Sequence, residues 1–349
     1  MNLLQNRFYQ EDIDWVANLD IPWILLKDKT ILISGANGLI ASFLIDVLMK
    51  KNDSGLNCKV VGIGRNSEKA KKRFSQYLSG TMFSFVSQDI NEKIEFNISA
   101  DYVLHLASNT HPVAYSTDPI GTITTNVIGS YNMLMFAAEH NAKRFLFSSS
   151  NEIYGENRGD IEFFDESYCG YIASNSLRAG YPESKRCGEA LCQAFMHQKG
   201  LDVVIARLTR SYGPTLLSSD TKAMTQFLRN GINGDDIVLK SEGKQHFSYS
   251  YVSDSVAGLL YTLLLGKNGE AYNIADKKGD STLKEIAESI AGYCGSKVVF
   301  NLPNEIEKAG FSKASKARLS GDKLKQLGWG MKYNINDGIK RTLDILRSV

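Results

Sequence analysis

A short apolar strand, Ile31–Leu32–Ile33–Ser34, runs directly into Gly35–Ala36–Asn37–Gly38–Leu39–Ile40–Ala41 and then into an apolar helical stretch through Phe43, Leu44, Val47 and Leu48. Few folds accommodate that order. Gly35 permits a tight strand-to-helix turn, Gly38 lets the backbone approach a pyrophosphate, and small Ala41 allows the helix to pack closely on the strand. The helix N-terminus then offers N–H donors to phosphate, with Asn37, Leu39 and Ile40 around it. The same spacing also occurs in plain tight turns, so its weight comes from opening a series of β–α units.

That series is visible from Lys29 onward. Short β-branched runs at 30–34, 60–64, 83–86, 102–106, 144–148 and 203–208 alternate with amphipathic stretches. The pattern predicts an α/β fold, a Rossmann-like doubly wound parallel sheet with helices on both faces. After Pro214 the rhythm loosens into mixed helices, loops and short strands, including 237–240 and the Tyr251–Val252–Ser253–Asp254 segment. With 349 residues the chain exceeds a single ordinary core. The expected division is an N-terminal arm at 1–27, a dinucleotide-binding part at 28–213, and a smaller, mainly substrate-binding lobe at 214–349 interleaved with it. Phe8, Trp15, Ile21 and Trp23 are the expected anchors of a helical arm packed on the body or on a second subunit.

A net charge of +2 argues against a broad nucleic-acid-binding face. Five cysteines, an odd number without metal-type spacing, suit a reducing cytoplasm and predict no metal site. No run approaches the roughly 20 apolar residues of a membrane span.

The second strand ends Gly64–Arg65–Asn66. An acidic side chain there would accept from the ribose 2′-hydroxyl of NAD. Arg65 suits a 2′-phosphate better, so NADP is favoured over NAD, with a solvated Arg65 as the plain alternative. Asp89 and Ile90 after the third strand would flank the adenine, and Leu106, Ala107 and Ser108 after the fourth would lie along the cofactor.

Tyr181 and Lys185 stand four apart at the start of a predicted helix and share one face. An ammonium beside a phenol lowers its pKa toward the range of a general base. Such pairs also occur by chance on surfaces. Here Ser148–Ser149–Ser150–Asn151–Glu152 closes the fifth strand, and in an open parallel sheet those strand ends line the crevice.

With these motifs in place the chain resembles the extended short-chain dehydrogenase/reductase family, which oxidises, epimerises, dehydrates or decarboxylates nucleotide sugars. The resemblance runs from Lys29 to the C-terminus through the Gly35 loop, His105–Leu106–Ala107, Asn126 with Gly129, Ser149 to Gly155, Tyr181 and Lys185, Arg207 to Pro214, Tyr251 to Asp254 and Leu327–Gly328–Trp329. It implies a nucleotide-sugar substrate and a bound nicotinamide. Tyr181 would take the proton of the sugar 4-hydroxyl, Ser149 or Ser150 would steady that hydroxyl, and Lys185 would hold the nicotinamide ribose. Asn126 and Ser148 join the cofactor side; Ser149, Arg178, Arg210, His246 and Arg318 face the substrate. A homodimer is implied too, pairing helices at 121–139 and 181–199.

Within the family the chain looks most like UDP-glucuronate decarboxylases, then nucleotide-sugar 4,6-dehydratases. Both carry an acid matching Glu152, suited to chemistry at C5 once C4 is a ketone. Decarboxylation is therefore the first expectation, a 4,6-dehydratase the second, a 4-epimerase or ketoreductase the third; a dinucleotide-binding sensor without catalysis is the non-enzyme alternative. Three positions depart from the pattern. Asn151 stands where dehydratases place Asp and decarboxylases Ser. Arg210 replaces a substrate-binding Asn, and Phe247 replaces a diphosphate-binding Arg, so either the cation has moved or the substrate differs.

Overall fold

The computed structural model describes residues 3–96, 98–110, 112–217, 219–301 and 316–348. After the N-terminal helix α1 (Arg7–Ala17) come β1 (Thr30–Ser34), α2 (Leu39–Asn52), β2 (Lys59–Gly64), α3 (Ser67–Arg73), β3 (Phe83–Ser87) and β4 (Tyr102–His105). Next are α4 (Pro112–Thr117), α5 (Pro119–Glu139), β5 (Arg144–Ser150), α6 (Gly180–Lys199), β6 (Val203–Leu208) and β7 (Arg210–Tyr212). The chain continues through α7 (Ala223–Asn233), β8 (Ile237–Leu239), β9 (His246–Tyr251), α8 (Val252–Leu265) and β10 (Ala271–Ile274), then β11 (Asp280–Thr282), α9 (Leu283–Cys294), β12 (Val298–Phe300), β13 (Lys316–Ala317) and a C-terminal helix Ile335–Arg347.

The main sheet has seven strands in the order β10-β6-β5-β4-β1-β2-β3, every pair parallel. This is the doubly wound arrangement the alternation predicts. Its central strands are buried on both faces, which explains their nearly continuous apolar sequences, while the edge strand β3 is only partly buried. Ile31 and Ile33 of β1 point to one core with Phe43, Leu44, Val256 and Leu260, while Leu32 points to the other with Met133, Leu134, Phe147 and Phe195. Strand order reverses between β1 and β4, opening a crevice at the carboxyl ends of the strands.

β10, far along the sequence, joins the edge of this sheet beside β6. The remaining strands form two smaller sheets: one of four strands, in which β9 pairs with β7 and β13 in parallel and with β11 antiparallel, and a separate parallel pair of β8 and β12. Some boundaries differ from the sequence expectation. β4 ends one residue early, at His105, and β5 runs on to Ser150 because Ser149 and Ser150 keep pairing with Arg207 and Leu208. Tyr251 ends β9, and Val252 begins a fully helical turn.

The arm packs on the body of its own chain, though not through every residue expected. Phe8 is exposed; its neighbour Tyr9 is the anchor, with Ile13 and Val16 on the same buried face of α1. The reason is helical spacing: residues 9, 13 and 16 share one face, and 8 lies off it. Tyr9 Oη donates to Asp46 Oδ2 at 2.5 Å, and Asp46 pairs with Arg73 and accepts from Tyr77 Oη at 3.1 Å. Asp12 accepts from Tyr251 Oη and Arg341 Nε, both at 2.7 Å, and so ties α1 to β9 and to the C-terminal helix. Among the described residues no helix is long and apolar enough to cross a membrane, and no cluster of side chains could hold a metal ion.

Asp46 is fully buried between three partners. Replacing it by Ala strands the Arg73 charge and two phenols, so Asp46→Ala should lower the unfolding free energy by about 3 kcal/mol in urea denaturation. A loss below about 0.5 kcal/mol would mean the network does not hold the arm.

Candidate active site

The site begins where β1 turns into α2. Gly35 has φ 72°, and a Cβ there would sit 2.7 Å from Ala107 Cα, so only glycine lets this turn lie against the end of β4. Gly38 precedes α2 without a side-chain cap, leaving the amides of Leu39 and Ile40 in the first turn for a ligand. Asn37 Nδ2 donates to Asn66 O at 3.0 Å, and its Oδ1 is enclosed without a partner among the described residues. Uncapped amides and a glycine turn fit a dinucleotide diphosphate. Arg65 follows β2 as an exposed side chain. Asp89 accepts from Asn91 N at 2.9 Å. Ile90 is buried, and it fills the space that a Cβ on Gly129 would enter, at 2.6 Å.

A buried polar chain links the crevice walls. Ser34 Oγ accepts from Leu106 N and Ala107 N, each at 3.2 Å, and lies 2.7 Å from His105 Nδ1. His105 Nε2 lies 3.0 Å from Ser130 Oγ, which donates to Asn126 O. Asn126 then accepts from Ser108 Oγ at 2.7 Å and donates to Ser184 Oγ at 2.9 Å, and Ser184 donates to Tyr181 O. Burial, helped by Lys185, lowers the His105 pKa to about 3. The ring is therefore neutral, and the network assigns its proton to Nε2.

α6 begins at Gly180, which puts Tyr181 and Lys185 on its inward face, both buried. Lys185 Nζ donates to Ser148 O at 2.8 Å and lies 4.9 Å from the centroid of the Phe147 ring. Burial lowers its pKa to about 7. The lowered tyrosine pKa expected from the sequence is not what the protein has on its own. Burial foremost, then the Glu152 charge, raises Tyr181 to about 12, with Ser150, Arg178 and Ser108 pulling the other way. The ammonium is engaged by the Ser148 carbonyl, so desolvation of the phenol dominates.

On the far side of Tyr181, Glu152 Oε2 pairs with Arg178 Nη2 at 2.6 Å. Glu152 N donates to Ser150 Oγ at 3.2 Å, and Asn151 Oδ1 is 3.5 Å from the same hydroxyl. Ser149 Oγ is enclosed without a partner among the described residues. Asn151, Glu152, Arg178 and Arg210 line one pocket together with exposed Tyr171 and buried Ala317. His246 and Arg318 lie near each other on β9 and just past β13; Arg318 Nη2 donates to Glu162 at 3.0 Å and its guanidinium sits 4.5 Å from the centroid of the Phe163 ring. The structure thus gathers Tyr181, Lys185, Ser150, Asn151, Glu152 and Arg178 around one crevice, with Arg210 in the adjoining pocket and Arg65 apart at the cofactor end.

Sequence reasoning missed Tyr115. This buried side chain on α4 stacks on Tyr181 at 4.9 Å between centroids, and Arg178 sits 4.6 Å over the same ring. No local pattern marks it, because its partners come from other elements.

Residues 31–275 match the family model for the NAD dependent epimerase/dehydratase family. UDP-glucuronic acid decarboxylase 3 of Arabidopsis thaliana is 31% identical over 315 residues, 88% of this chain and 86% of that relative. UDP-glucuronic acid decarboxylase 1 of Xenopus tropicalis is 28% identical over 94% of this chain and 74% of its own length. Among solved structures, UDP-glucuronic acid 4-epimerase from Bacillus cereus, in complex with UDP-glucuronic acid and NAD, superposes with a TM-score of 0.78 at 21% identity, covering 91% of this chain and 99% of that one. The dTDP-glucose 4,6-dehydratase DesIV of Streptomyces venezuelae, with NAD bound, gives 0.77 at 21% identity, covering 91% and 97%. Its match across most of its length and the shared fold establish that this chain belongs to the NAD dependent epimerase/dehydratase family, within the extended short-chain dehydrogenases/reductases.

Proposed function

We propose that the protein oxidises C4 of a nucleotide sugar and then acts at C5, as a UDP-glucuronate decarboxylase does. The observation that carries this reading is Glu152, ion-paired with Arg178 in a pocket adjoining Tyr181. Asp or Glu at that place has no role in simple C4 hydride transfer, whereas C5 chemistry needs a group that handles a proton. Asn151 cannot donate a proton as an acid does, which weighs against water elimination and so against a 4,6-dehydratase. The 31% identity to an Arabidopsis decarboxylase supports the same choice.

A bound nicotinamide would supply the hydride acceptor, held by the Gly35 turn, the first turn of α2, Asn126 and Lys185. Tyr181 Oη takes the proton of the 4-hydroxyl, and Ser150 and Ser149 orient that hydroxyl. Burial makes free phenolate scarce, so proton loss is coupled to substrate oxidation. Once C4 is a ketone, a C5 carboxylate departs as carbon dioxide and the resulting enolate needs a proton at C5. Glu152 manages that proton, with Arg178 restraining its carboxylate; the hydride would then return to C4 as Tyr181 gives its proton back to the C4 oxygen, leaving the nicotinamide oxidised as at the start. Exposed Ile120, Ile123, Ile128 and Tyr131 on α5 support a homodimer built through α5 and α6, and the unpaired cysteines suit a cytoplasmic enzyme.

Glu152→Gln keeps the shape but removes the proton carrier. It should bind UDP-glucuronate as the wild type does, while release of the nucleotide pentose, followed by NMR in deuterated water, falls by about 100-fold. Unchanged product formation would remove the C5 role and favour a 4-epimerase or ketoreductase.

For the cofactor, Arg65 and the absence of a carboxylate at the end of β2 favour NADP, although both solved relatives above hold NAD. Titration calorimetry should give tighter binding of NADP than NAD, with Arg65→Ala narrowing the gap by about tenfold through loss of a charge-assisted contact. A wild type that prefers NAD would take Arg65 out of the site.

A further inference from the structure

Between β7 and β9 the chain holds a cation that lacks a counter-charge of its own. Arg210 opens β7 and lies opposite Tyr249 of β9. Alternation along β9 puts Phe247 on the same face as Tyr249, and Arg210 Cζ lies 3.5 Å from the centroid of the Phe247 ring. The ring fixes the guanidinium and shields one of its faces from water. Arg210 also lines the pocket shared with Asn151, Glu152 and Arg178. Its Nη1 is enclosed and, among the described residues, makes no hydrogen bond; the same holds for Arg178 Nε and Tyr249 Oη.

Charge sharpens the point. The pocket is lined by two guanidiniums and two carboxylates, but Glu152 is already engaged by Arg178 at 2.6 Å and Glu156 is exposed to solvent. Burial, with a contribution from Arg178, holds the Arg210 guanidinium below its usual range. An enclosed cation with unmet N–H groups is costly unless an anion arrives to meet it. Its place also bears on which anion. The charges that bear most on Tyr181 are Glu152 and Arg178; Arg210 interacts with those two and with Tyr115 and Tyr249. Arg210 therefore shares one pocket with Glu152 and Arg178, the two charges next to Tyr181. Arg318, just past β13, pairs with Glu162 through Nη2 but keeps an enclosed Nε without a partner among the described residues, and with His246 near it is the candidate for the diphosphate.

We propose that Arg210, seated on Phe247, is a specificity-determining residue that binds a carboxylate on the sugar itself, while the diphosphate is bound elsewhere. This rests on the nucleotide-sugar reading above. Arg210 supplies the contact, and Phe247 is a positioning residue that acts through it.

Calorimetry with UDP, UDP-glucose and UDP-glucuronate tests this. The wild type should bind UDP-glucuronate at least about tenfold more tightly than UDP-glucose, the size of one charge-assisted contact. Arg210→Asn should erase that preference and leave UDP within about twofold, and Phe247→Leu should reduce it partway, again sparing UDP. A wild type without preference for the uronate would overturn the proposal and needs no variant to fold. Equal losses for UDP and UDP-glucuronate in Arg210→Asn would place the cation on the diphosphate and overturn it too. Failure of the wild type to bind any of UDP, dTDP, CDP and GDP would sink the nucleotide-sugar reading itself, a result distinct from both.

Discussion

The site depends on a buried hydrogen-bonded chain that passes through neutral His105. Ser34 at the end of β1, His105 at the end of β4, Ser130 and Asn126 on α5 and Ser184 on α6 bond in one direction, each hydroxyl giving one hydrogen and Ser34 receiving two. The direction is forced at its start. Two backbone amides occupy Ser34 Oγ as acceptor, so its own hydrogen goes to His105 Nδ1. A protonated imidazole would break that sense, which is why the burial that keeps the ring neutral also keeps the network whole. Through it, the switch point of the sheet is tied by hydrogen bonds to the helix bearing Tyr181 and Lys185.

Upon that frame the protein places charges sparingly. Lys185 is fixed by one carbonyl, and Glu152 and Arg178 neutralise each other beside Tyr181. The Tyr115 ring packs against both the Tyr181 phenol and the Arg178 guanidinium. Low polarity there strengthens each electrostatic contact with a substrate and keeps bulk water from the reacting carbons. The same low polarity explains why Tyr181 resists ionising in the protein alone.

Much of this was legible in the sequence, because the strongest signals are local. The Gly35 turn, the buried strands and the Tyr181–Lys185 spacing are written within short windows, and the parallel, doubly wound sheet follows from repeated β–α units. What escaped depends on contacts between distant segments. Arg210 and Phe247 are 37 positions apart, and only the β7–β9 register brings one over the other. Tyr115 gives no sign of its partners. Tyr9 was overlooked for Phe8 since a one-residue shift on a short helix changes which ring is buried. The direction of the Tyr181 shift failed for a physical reason: spacing reveals a neighbouring ammonium, not how much water the fold removes.

The central claim is that this crevice transfers hydride from a sugar carbon under control of Tyr181. Stopped-flow absorbance of reduced nicotinamide, recorded as the cofactor-loaded protein meets UDP-glucuronate, tests it most directly. The account predicts a transient of reduced cofactor in the wild type and none in Tyr181→Phe, although that variant still binds the nucleotide sugar. Formation of reduced cofactor by Tyr181→Phe at close to the wild-type rate would contradict it.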